Sequence, residues 1–80
     1  MDDKTILERI TELHNEELEL EEHKTSKSLT KDKLDRLGAI ETELDQCWDL
    51  LRQRRARRSA GQDPDGATVR SEAVVENYLQ

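Results

Sequence analysis

Five arginines, Arg52, Arg54, Arg55, Arg57 and Arg58, follow directly on an apolar run that holds the only Trp and the only Cys of the chain. Clustered guanidiniums grip phosphate oxygens bidentately, so the chemistry on offer is anion or nucleic-acid attachment that weakens with salt. A plainer use fits the same residues. Cations in the last turns of a helix answer its dipole, and acids lying opposite them in the fold absorb the charge. No aromatic residue is interleaved with the arginines, which argues against base stacking and favours structural or partner-directed charge.

His14, Glu17 and Glu21 share one helical flank and invite a metal reading, with His23 pointing elsewhere. The set is incomplete, because carboxylate-bridged dimetal bundles need Glu-x-x-His on paired helices and this chain carries the reverse order once. A solvated acidic face is the commoner meaning of such residues. Cys47 is the one thiol, expected as a small apolar core residue rather than an oxidant sensor. Asp45 and Asp49 lie one turn apart on what reads as the outer face, where solvation is expected for both. There is no nucleophile with a base and an oxyanion donor, no complete metal-ligand set and no phosphate-cradling loop. The expectation is a non-enzyme with no cofactor and no metal.

The elements that carry these residues follow from composition and period. Of 80 residues, 40% are charged and 32% apolar, a balance rich in helix formers and poor in core. Roughly 15 apolar side chains at about 1.5 to 3 kcal/mol each leave a lone helix pair marginal once backbone ordering is set against them. Self-association relieves that shortage, so a homodimer is expected. A single Cys, no secretory apolar region near Met1 and no apolar run of membrane length point to a reduced cytoplasmic setting and no membrane. The net charge of −6 hides an asymmetry: residues 1–24 carry nine acids and three bases, whereas residues 49–60 carry one acid and five arginines.

Asp2 or Asp3 caps a helix whose positions Ile6, Ile10, Leu13 and Leu20 stay on one face at about 100° per residue. Leu7 and Leu18 widen that face, and Glu17 falls within it, where a polar residue commonly fixes register. Helix one is predicted from Asp3 to Lys24. Thr25 to Leu29 reads as a turn, Thr30 as the next N-cap, and Leu29 with Leu34 as a hydrophobic staple. Helix two then runs from Lys31 to Ser59 with the seam Leu37, Ile40, Leu44, Cys47 and Leu51, flanked by Leu34 and Trp48. Gly38 costs this helix about 1 kcal/mol without breaking it. The short connection forces an antiparallel hairpin. Gly61 to Gly66 ends helix two, and Ser71 caps a short helix in which Val74, Val75, Tyr78 and Leu79 share a face.

The run from Leu44 to Arg58, the Asp63-Pro64 turn and the terminal Val74 to Gln80 resemble the short, mainly actinobacterial family known as domain of unknown function 2630. The resemblance spans nearly the whole chain. It implies a small cytoplasmic bacterial protein and brings no catalytic residue with it.

The resulting expectation is an all-α protein: a helical hairpin over residues 1–60, then a turn and docking helix over 61–80, forming one domain that dimerises into a four-helix bundle. Leu37, Ile40, Leu44, Cys47, Trp48 and Leu51 are its expected core or interface. Its expected role is that of a helical interaction module presenting the arginine end to a protein partner, with accessory nucleic-acid or anion binding through Arg52 to Arg58 as the alternative.

Overall fold

The computed structural model describes residues 2–24 and 30–79. Its elements in order are α1 (Asp3–Lys24), α2 (Lys31–Ser59), a single 3-10 turn (Pro64–Gly66) and α3 (Glu72–Leu79), with no strand among the described residues. The expected turn at Thr25 to Leu29, the staple from Leu29, and the side chains of His23, Tyr78 and Leu79 lie outside what is described.

Local chemistry sets the boundaries. Asp2 caps α1 by accepting from the Thr5 amide at 2.8 Å. Thr30 caps α2, its hydroxyl accepting from the Lys33 amide, with Asp32 in the first turn. At the far end, Gly61 takes φ of +73°, and the amides of Gly61 and Gln62 reach back to the Arg58 and Arg57 carbonyls. This is a Schellman closure, and it needs the left-handed backbone that glycine adopts without penalty. Asp63 then caps the 3-10 turn through the Asp65 amide, and Ser71 Oγ accepts from the Val74 amide at the start of α3.

Cross-helix ion pairs fix α1 and α2 as antiparallel neighbours: Arg9 meets Glu43, Glu16 meets Arg36, and Asp3 meets Arg54. Between them lies a core of Ile6, Ile10, Leu13, Ile40, Leu44 and Leu50, with Leu37 buried further along α2. The chain after Gly66 returns along the opposite flank of α2, where Gln53 donates to the Thr68 carbonyl and Gln46 to the Arg70 carbonyl. Thr42 donates to Glu72, and Val75 is buried. Helix α2 is therefore the middle element, with α1 on one side and the C-terminal arm on the other. The Cα envelope of 51 × 25 × 16 Å is that of a slab little more than one helix thick.

One expectation needs correction, and other positions are placed more closely. Trp48 is 44% exposed and so lies outside the core of a single copy, while Leu50, which is not among the expected seam residues, is buried where the arm covers a flank of α2. Leu7 and Leu18 stand 48% and 58% exposed at the edge of the core. Asp49, expected in solvent, is 2% exposed beneath the arm.

Candidate interaction surfaces

The arginine segment is largely engaged inside the molecule. Arg54 is buried, and its guanidinium bridges Asp3 at the start of α1 and Asp65 of the 3-10 turn, the latter at 3.0 Å. Arg58 reaches the other Asp3 oxygen at 2.8 Å. The two arginines hold the Asp3 carboxyl below the usual carboxylate range through their hydrogen bonds, Arg58 first, and Asp3 with Asp65 raises the Arg54 pKa in return. Arg57 lies over Gly66, so close that a Cβ there would meet its Nη1 at 2.5 Å. Arg52 approaches Asp49 at 3.8 Å, and Arg55 is exposed. One end of the slab is thus a knot that ties α1, α2 and the turn together by charge.

A second polar cluster holds the arm. Asp49 accepts from Gln53 Nε2 at 2.9 Å and faces Arg70 Nε at 3.6 Å, while Gln53 uses its other amide hydrogen on the Thr68 carbonyl. Gln46, Asp49 and Gln53 recur on one flank of α2, a polar stripe that sequence alone reads as solvent-facing. Removing a buried acceptor costs about 1–3 kcal/mol through the donors left behind. Asp49→Ala is accordingly expected to loosen the arm and speed tryptic cleavage after Arg70 several-fold; an unchanged cleavage rate there would show that Val75 and the hydrogen bonds from Thr42, Gln46 and Gln53 retain the arm without Asp49.

On the broad face shared by Arg9 and Glu43, the arm and α1 leave a groove of about 410 Å³ over α2, with Cys47 and Leu50 on its floor and Val69 on its rim. Cys47 is half-buried, and burial followed by the nearby Glu43 carboxylate pushes its thiol pKa up, away from the thiolate. Arg9 spans Glu43 and Glu12 at the groove edge, and both pairings raise its pKa.

The other broad face is differently made. Relative to the core stripe of α1, Leu7, His14 and Leu18 lie on the flank opposite Arg9, Glu12 and Glu16; on α2, Leu34, Glu41 and Trp48 lie opposite Arg36 and Glu43. Since Arg9 meets Glu43 and Glu16 meets Arg36 on the groove side, the leucines and Trp48 share the opposite face. All four are large apolar side chains exposed to water. His14 pairs along its own helix with Glu17 at 3.7 Å, and Glu17 is half-buried at the helix seam. Among the described residues, no three His, Cys, Asp or Glu side chains gather where a metal ion would sit.

The model of one bacterial family, described as "Protein of unknown function (DUF2630)", matches residues 2–80. The chain belongs to that family. It is also similar to uncharacterised proteins of Mycobacterium bovis and of two Mycobacterium tuberculosis strains, each 64% identical over 42 residues. Those 42 residues are 52% of this chain and 48% of each relative, so the match spans about half the length of the curated relatives. No solved structure matches. None of the described helices is long and apolar enough to cross a membrane.

Proposed function

We propose that this protein is a non-enzymatic helical interaction module that works as a self-associated species in the cytoplasm. The observation that carries the reading is the face bearing Leu7, Leu18, Leu34 and Trp48, four large apolar side chains left in water by a slab one helix thick. Four exposed apolar side chains gathered on one face, in two groups with polar residues between them, support an association surface there. Leu37, Ile40, Leu44, Cys47 and Leu51 then serve the fold of one copy, and Trp48 serves its contact with another.

The alternative, an anion or nucleic-acid site at Arg52 to Arg58, has less to support it. Arg54 and Arg58 already hold Asp3, and a phosphate would have to displace a carboxylate from each.

Sedimentation velocity across a wide concentration range tests the reading. A shift from the 9.3 kDa monomer toward twice that mass is expected, and Trp48→Glu should reverse it. A monomer at every concentration would remove self-association from the mechanism.

A further inference from the structure

We infer that the groove over α2 binds a small organic cation, an ammonium head group carried on an apolar body the size of an aromatic ring with a short alkyl chain. The site is separate from the association surface proposed above, since it opens on the broad face opposite Trp48. Shape comes first. The cavity holds about 410 Å³, within the range of about 300–1,000 Å³ usual for small-molecule sites. Its lining runs from Thr5 to Glu12 on α1 and from Glu43 to Leu50 on α2, in each case about 10 Å along the helix. Two turns of a protein helix, about 10 Å across, exceed that space, whereas a compact organic molecule enters it.

The floor and the arm take the apolar body. Cys47 and Leu50 present a thiol and aliphatic carbon from below, and Val69 stands over them from the arm. Val69 is 60% exposed, so an apolar group laid against it removes from water a side chain that the fold itself leaves wet. Its position is fixed in advance. On either side of it the Thr68 and Arg70 carbonyls accept from Gln53 and Gln46, so an arriving molecule finds the wall already built and has little ordering to impose on it.

The α1 edge selects the charge. Glu8, Glu12 and Glu43 line the groove together with one cation, Arg9. Arg9 is engaged by Glu43 and, at 3.1 Å, by Glu12, whereas the exposed Glu8 makes no ion pair among the described residues. One carboxylate at the mouth of an apolar cavity is thus left to meet an incoming charge. An ammonium answers it. A carboxylate or phosphate would face three glutamates and would have to draw Arg9 away from two of them.

Cys47 is the only thiol of the chain, so the rate at which iodoacetamide alkylates it reports whether the floor is covered. Phenylbutylammonium, phenylbutanol and phenylpentanoate share one ring and one alkyl chain and differ in the head group. Phenylbutylammonium is expected to slow alkylation at the lowest concentration. The alcohol should need about two- to fivefold more, the worth of one exposed ion pair, and the carboxylate more again. Glu8→Gln, on the exposed edge of α1, should bring the ammonium midpoint to that of the alcohol and leave the alcohol midpoint where it was. Val69→Ser should raise both several-fold. An alkylation rate that none of the three probes changes would overturn the site, as would protection that Val69→Ser leaves intact. Equal protection by all three would overturn the assignment of a cation, and an ammonium preference that survives Glu8→Gln would overturn Glu8 as its partner. These readouts come from the groove face alone, so sedimentation of the chain as a monomer would remove self-association and leave this inference standing.

Discussion

Ile40→Ala is expected to lower the melting temperature by about 10 to 40 °C, since truncating a fully buried isoleucine costs about 2–5 kcal/mol and each kcal/mol shifts a domain of this size by about 4–8 °C. Ile40 has no exposed surface and belongs to the cluster in which Ile6, Ile10 and Leu13 of α1 meet Leu44 and Leu50 of α2. No second layer lies behind that cluster, because the slab is only 16 Å thick. A cavity there has few neighbours that can collapse into it, which places the loss toward the upper part of the range. Stability in such chains is about 0.05–0.15 kcal/mol per residue, so one truncation removes much of the total. Circular dichroism at low protein concentration, where association does not contribute, measures it. Under the same conditions Trp48→Ala should cost about 1 kcal/mol or less, as expected of a surface position. Comparable losses from the two variants would mean that Trp48 belongs to the core of the single copy.

The contrast between those two residues marks where sequence stops being legible. The helix boundaries were readable because they depend on local chemistry: Asp2 and Thr30 as caps, Gly61 as the left-handed stop, Asp63-Pro64 opening the next turn and Ser71 opening α3. The central stripe was readable because a period of 3.6 is a geometric property of each helix by itself. Ile6, Ile10, Leu13, Leu37, Ile40 and Leu44 are buried accordingly.

Leu50 and Trp48 flank the same stripe on opposite sides, and at about 100° per residue Trp48 lies the nearer to it, so periodicity favours the residue that the fold leaves exposed. The arm decides between them, and its docking site is written in polar side chains with no apolar period. Asp49 with Arg70, Gln53 with the Thr68 carbonyl and Gln46 with the Arg70 carbonyl are contacts between segments joined by a turn whose course propensity does not specify. The burial of Asp49 was illegible for the same reason: a carboxylate enters the interior only where donors are brought to it, and Arg70 comes from outside the helix. The arginine run was legible in part. The hairpin places Asp3 near the end of α2, but only the 3-10 turn brings Asp65 to Arg54.

The Asp3 knot sets the second large effect, a loss of stability in acid. Hydrogen bonds from Arg58 and Arg54 hold the folded Asp3 carboxyl below its ordinary pKa, which is about 4 in an unfolded chain. A lowered folded value means that the fold binds the ionised form preferentially. Its contribution is thus complete above about pH 4 and disappears as pH falls through the folded value. Asp2, held down by the Thr5 hydrogen bonds, and Glu16, held down by Arg36, act in the same direction and in the same range. Urea midpoints measured from pH 7 to pH 2.5 should therefore stay level above about pH 5 and fall steeply below pH 4. Asp3→Asn removes one of the three carboxylates and leaves Arg54 with Asp65 alone. At pH 7 its midpoint should lie well below that of the unmodified chain, and hydrogen exchange at the first turns of α1 should quicken by tenfold or more. As pH falls through the folded Asp3 value the two midpoints should converge, because the unmodified chain then loses its own Asp3 charge. A gap that stays constant across the whole range would show that Asn disturbs the helix start sterically, and that the arginines at the end of α2 hold α1 by packing rather than by charge.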